Sequence, residues 1–165
     1  MFNTQNQDCI MKHESFMRKA IDLAVENVKN GGGPFGAVIV KDGRIISTGV
    51  NRVTSQNDPT AHAEVMAIRE ACSKLGTFDL SGTVLYTSCE PCPMCLGAIY
   101  WAHIDKIYYG ANQHDAASAN FDDSFIYKEL ELKPEERHKP IENIMHKEAQ
   151  APFDTWKAKE DKIAY

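Results

Sequence analysis

Residues 87–97 read TSCEPCPMCLG, which spaces cysteines 89, 92 and 95 at intervals of three. Thiols set so closely suit metal or redox chemistry. Upstream, the stretch TAHAEV supplies His62 and, two residues on, an acid, Glu64. Zinc that does chemistry takes three protein ligands and leaves a fourth position open for water. Cys92 and Cys95 stand i, i+3 on one face of an expected helix's first turn, so both sulfurs can converge on one ion. Pro91 reads as the first helical residue. The free N–H groups after it, at the positive end of the helix dipole, favour thiolates. Cys89 falls before this helix, at a strand end, and reads as a buried apolar thiol outside the metal shell. His62 is the best third ligand, itself expected in a helix's first turn. Two helix N-termini would then face each other across the ion, with Glu64 beside the metal but not bound to it.

His62-Ala63-Glu64 followed by Pro91-Cys92-Pro93-Met94-Cys95 matches the zinc-deaminase pattern H-x-E … P-C-x-x-C. The two halves are specific together and weak apart. A ferredoxin loop needs a fourth cysteine followed by proline, and no cysteine follows Cys95. A thioredoxin-type pair explains neither His62 nor Glu64. A structural zinc knuckle is the remaining rival, with Cys89 as its fourth ligand. In the catalytic reading zinc activates water for attack on an amino-bearing ring carbon. Two thiolates cancel the charge of Zn²⁺ and weaken it as a Lewis acid, so a base is needed nearby. Glu64 fits as the carrier of protons from water to a ring nitrogen and to departing ammonia.

These residues need elements to hold them. Phe16, Ala20, Ile21, Ala24, Val25 and Val28 recur at helical spacing, and Gly31-Gly32-Gly33 stops that helix. GAVIV and RIISTGV read as strands of a hairpin turning at Lys41-Asp42-Gly43. Asp58 reads as an N-cap and Pro59 as the first residue of a helix reaching Leu75. TVLYTS (83–88) predicts a strand, Pro91 to about Trp101 a helix, and KIYYG (106–110) another strand. Further helices are expected near Asp122–Leu130 and from Pro152 to about Lys162, with a weak strand near 141–147. In the last helix Phe153 and Trp156 share a face that should dock. The order predicts an α/β fold, a mixed sheet with helices on both faces.

Composition narrows the partners. At 165 residues, 43% hydrophobic and 25% charged, the chain has the make-up of one well-cored globular domain. No apolar run approaches the roughly 20 residues needed to span a bilayer. The start, MFNTQNQDCI, lacks the basic and apolar parts of a signal peptide, so a cytoplasmic setting with reduced thiols is expected. The net charge of −5 does not favour a nucleic-acid partner.

The stretches GGPFGAVIV, NDPTAHAEV, YTSCEPCPMCLGAIYWA and FDDSFIYKE, with the terminal aromatic, resemble the short bacterial guanine deaminases of the cytidine-deaminase-like superfamily. The resemblance runs from about Met11 to Tyr165, with residues 1–10 reading as a disordered extension. The zinc-site residues are shared across the superfamily, and only the later stretches point to guanine. The resemblance implies a single three-layer α/β/α domain over residues 1–165 with a mixed five-stranded sheet. It implies one Zn²⁺ per subunit and a homodimer that exchanges its C-terminal segment, about 150–165. The activity it implies is hydrolysis of guanine to xanthine and ammonia, in purine catabolism or salvage. By the same resemblance Asp123 meets the base and passes a proton, while Asp122 reads as a helix cap. Asn51 reads as a turn residue or a hydrogen-bond partner of the purine, and Phe35 and Trp101 as core packing or a sandwich for a flat base; the resemblance favours the substrate role for Asn51 and Phe35, and Ala63 is expected among the substrate contacts. The resemblance further implies that Tyr165 from the exchanged segment closes the other subunit's pocket. His103, His114, His138 and His146 have no partner spacing and read as surface or core residues. Rival readings are deamination of another free base or nucleoside such as cytosine, a tRNA adenosine deaminase, or a non-catalytic zinc-stabilised protein. Acidic balance and the lack of a basic C-terminal helix argue against the tRNA reading.

Overall fold

The computed structural model describes residues 4–165, with side chains from Ile10 onward. They fall into two compact units, one ending at Asp123 and one running from Ser124 to Tyr165. The first unit opens with helix α1, Thr4–Lys29. Residues 4–10, expected as a disordered extension, are therefore helical; they hold no proline or glycine to stop a helix that the apolar face downstream anchors. Residues 1–3 lie outside the described residues. The helix ends where expected, at Gly31 in the left-handed region (φ 82°).

Strands β1 (Gly36–Lys41) and β2 (Arg44–Val50) form the expected hairpin, with Asp42 and Gly43 both at positive φ as a tight two-residue turn requires. A short helix α2 (Val53–Gln56) leads to α3 (Ala63–Leu75), followed by β3 (Thr83–Cys89), α4 (Pro93–Trp101), β4 (Lys106–Ala111) and α5 (Gln113–Ser118). The sheet order is β2-β1-β3-β4, antiparallel except for the parallel β3–β4 pair.

Alternation along the central strands makes two cores. Ala37, Ile39 and Leu85 face Ala63, Ala67 and Ala71 of α3 and Ile99 of α4. Val38, Val40 and Tyr86 face Ala20, Phe16 and Leu23 of α1. The sheet is thus the middle layer of three, with α1 on one side and the site-bearing helices α3 and α4 on the other. Gly49 of β2 allows α3 this close: a Cβ there would lie 2.1 Å from the Ala63 carbonyl oxygen.

The second unit holds α6 (Ser124–Glu131), single 3₁₀ turns at Pro134–Glu136 and Glu148–Gln150, and α7 (Ala151–Ala158). Arg137 Nε donates to the carbonyls of Glu129 (3.1 Å) and Leu132 (3.2 Å), and His138 pairs with Glu129, tying the chain back on α6. The strand expected near 141–147 is absent, so among the described residues the sheet has four strands instead of five. Ile141, Ile144 and Met145 do not alternate as a half-buried strand demands, and all three are exposed. Helix α7 stops before Lys162, and Phe153 and Trp156 are exposed in this chain. Among the described residues no helix is long and apolar enough to cross a membrane.

Candidate active site

Both metal-bearing helices start later than the sequence suggests, and the shift improves the site. Asp58 does not cap α3. Its carboxylate accepts the Thr60 N–H (2.8 Å) and hydroxyl (2.7 Å), closing a turn of its own, and the Ala61 carbonyl accepts the Arg52 N–H. Helix α3 begins at Ala63, with His62 as N-cap in extended conformation. Likewise α4 begins at Pro93, not Pro91, with Cys92 as N-cap. Neither cap side chain hydrogen-bonds its own helix in the usual Ser or Asp manner, so both are turned to each other.

His62 Nδ1 lies 3.5 Å from Cys92 Sγ and 3.5 Å from Cys95 Sγ. All three donor atoms lie within 4.8 Å of one another. Tetrahedral zinc, with Zn–S near 2.3 Å and Zn–N near 2.0 Å, separates such a nitrogen and sulfur by roughly 3.5 Å. The residues fit the ion. Within the trio the Cys92 thiol is pulled down to about 4 by hydrogen bonds from the Cys95 thiol and from His62. Cys95 is pushed up by the same contact and by burial, so it keeps the proton. Its hydrogen bond to Cys92 raises His62.

Glu64, in the first turn of α3, is 5% exposed. Thr87 Oγ1 donates to its Oε1 (3.2 Å) and the Cys95 thiol lies 3.3 Å from its Oε2. Burial raises its carboxyl above the usual range. A carboxyl of raised pKa beside a metal site is suited to taking up and returning protons. Thr87 was not singled out from the sequence, although strand parity places it on the same face as Leu85 and Cys89. Cys89 stands outside the trio. Its thiol donates to the Asn112 carbonyl (3.7 Å), and burial pushes it up to about 11, so it stays protonated at neutral pH.

A cavity of about 490 Å³ opens beside the trio, walled in part by Phe35, Asn51, Glu64, Phe121 and Asp123. Phe121, which the sequence did not single out, meets Phe35 edge to face at 5.0 Å. Asp123 has its carboxyl raised by partial burial and by the neighbouring Cys92, Asp122 and Glu90 charges. Asp122 also reaches the wall. Trp101 does not. The buried stripe of α4 runs through Cys95 and Ile99, and Trp101 lies roughly 200° further round the helix. It is 66% exposed in this chain. Ala63 is fully buried, and only its backbone N–H, at the free end of α3, can serve a ligand. Tyr165 belongs to the second unit and is exposed.

A three-layer α/β/α unit that sets one histidine and two cysteines beside a buried glutamate defines a zinc-dependent deaminase-type hydrolase. Residues 10–111 match the cytidine and deoxycytidylate deaminase zinc-binding region, and the chain belongs to that family. It is 56% identical to the guanine deaminase of Bacillus subtilis over 94% of this chain and all of that protein. The crystal structure of the Bacillus subtilis enzyme superposes with a TM-score of 0.90, covering 93% of this chain and 98% of that one. A guanine deaminase structure from Nitrosomonas europaea gives 0.65 at 31% identity, covering 79% and 68%. The tRNA-specific adenosine deaminase of Aquifex aeolicus is 45% identical, but over only 61% of this chain and 67% of its own.

Proposed function

We propose that this chain is a zinc-dependent guanine deaminase, converting guanine and water to xanthine and ammonia. The observation that carries the reading is the reach of the similarity. The match to the tRNA enzyme covers about three fifths of the chain, whereas the match to the Bacillus subtilis guanine deaminase takes in 94% of it.

His62, Cys92 and Cys95 would hold the zinc, which would supply the Lewis acidity that makes water a nucleophile near neutral pH. Glu64 would take one proton from the attacking water and pass it to a ring nitrogen of the purine, then carry the proton of the hydroxyl now on C2 to the departing amine as the C–N bond breaks. Guanine presents N1–H and its amino group as donors and O6 and N7 as acceptors. Asp123, an acceptor with a raised pKa, suits the donor edge and can pass a second proton. Asn51 suits the acceptors: its Oδ1 takes the Val53 N–H (3.2 Å), which leaves Nδ2 to donate into the cavity. Phe35 and Phe121 supply apolar wall for a flat base. Reduced thiols in the metal site support a cytoplasmic setting. Exposed Phe153, Trp156, Ile163 and Tyr165 support exchange of the C-terminal segment in a homodimer, Tyr165 of the partner subunit covering the pocket.

Ammonia release measured with guanine, cytosine, adenine, adenosine and tRNA tests the reading. Turnover of guanine is expected, with loss of roughly 10²-fold or more in Glu64→Gln at unchanged zinc content. Turnover of adenosine in tRNA without turnover of guanine would overturn it.

A further inference from the structure

Helix α1 carries a polar residue where its buried stripe should stay apolar. Ala20 and Ala24 face the sheet, and the next position on that stripe is Asn27, 8% exposed. Burying a carboxamide is unfavourable unless its hydrogen bonds are made. Both protons of Asn27 Nδ2 are used, on the carbonyls of Gly33 (2.8 Å) and Asn51 (2.9 Å). The Asn27 main-chain carbonyl also accepts the Gly32 N–H (2.8 Å). One residue on the far layer therefore grips the glycine loop and the end of β2 together, and both line the cavity while Asn27 does not.

Asn51 is held from three sides. Its N–H donates to the Phe35 carbonyl (3.2 Å), its carbonyl accepts from Asn27, and its side-chain Oδ1 accepts from Val53. The last contact decides which end of its carboxamide faces the cavity. The loop has room for this only because residue 32 is glycine: a Cβ there would stand 2.3 Å from Asn27 Nδ2. We propose that Asn27 is a positioning residue, acting through Asn51 to present that side chain as a hydrogen-bond donor to the purine. The inference rests on the guanine reading for its kinetic test but not for its structural one.

Asn27→Asp keeps the shape and removes both donors. With guanine it should lower kcat/KM roughly 10- to 100-fold, mainly through KM, at one zinc per chain. In an Asn51→Ala background the same change should cost less than about threefold, because the route it acts through is gone. Gly32→Ala, whose new methyl displaces the Asn27 carboxamide, should reproduce the effect and decides the matter if Asn27→Asp does not fold. In the zinc-loaded, substrate-free protein, the Asn51 carboxamide NMR signals should shift and broaden in either variant. Equal losses in both backgrounds, or wild-type KM in both variants, would overturn the proposal. If wild-type protein releases no ammonia from guanine, the functional reading falls instead. The carboxamide signals then decide the positioning role, and unchanged signals would sink it.

Discussion

At the scale of single residues, the three cysteines of TSCEPCPMC differ because of where each sits on its element. Cys92 and Cys95 occupy the N-cap and third positions of α4, whose side chains lie on one side of the helix start. Cys89 ends β3, paired with Ala111, and its thiol is spent on the Asn112 carbonyl. Its sulfur is not among the donor atoms of His62, Cys92 and Cys95 that lie within 4.8 Å of one another, so it is not placed to share their ion. Cys89→Ala should accordingly retain one zinc per chain, with a stability loss of about 1 kcal/mol from the small void. Cys92→Ala should lose the metal, as read by atomic absorption on dialysed protein. Comparable zinc loss in both variants would return Cys89 to the metal shell.

At the scale of elements, spacing and chemistry announced which helices and strands carry the site, but not where each helix begins. Asp58-Pro59 and Cys89-to-Pro91 both look like helix starts, since each offers a proline in first position. In the folded chain Asp58 spends its carboxylate on a local turn, and extended backbone at His62 and Cys92 postpones both helices. Those are tertiary choices that local propensity does not register. Helix α5 was missed for a similar reason. It is short, and its signal is only the capping box in which Asn112 Oδ1 accepts the N–H groups of His114 and Asp115. The residues from α1 and β3 that support the site, Asn27 and Thr87, had a legible sign in strand and helix parity, a polar side chain on an apolar face. The placement of α3 itself depends on Gly49, whose missing side chain lets the helix backbone approach β2. Gly49→Ala should force α3 outward, taking His62 and Glu64 with it. A stability loss of about 1–3 kcal/mol by denaturant titration, with weakened zinc retention, is expected. Unchanged stability and metal content would mean that the contact relaxes without moving the site.

At the scale of the whole molecule, the long-range question is what the C-terminal forty-odd residues do, and here the sequence said least. Residues 131–150 hold no periodic pattern, so the strand expected there had nothing to enforce it. The tail is different. Ile163 is 69% and Tyr165 76% exposed, large apolar groups at the end of a polar run, where fraying would ordinarily favour small polar ones. A pocket that holds a single attacking water works best closed off from bulk solvent, which a lid supplied by a second copy of the chain would do. Exchange of identical segments conserves the contacts that a closed monomer would make, so it gives a symmetric dimer at low cost. Deleting residues 163–165 should then reduce guanine turnover by roughly tenfold or more while leaving zinc in place, since no ligand is lost. The dimer hypothesis adds a stricter expectation. Truncated chains keep Glu64 but lack the lid, and Glu64→Gln chains keep the lid but lack the proton carrier. Refolded together, they form hybrid dimers in which one of the two pockets has both, so activity should rise above the sum of the two weakened parents. Hybrid dimers that form without such a rise would show that the tail works within its own chain, or not at all.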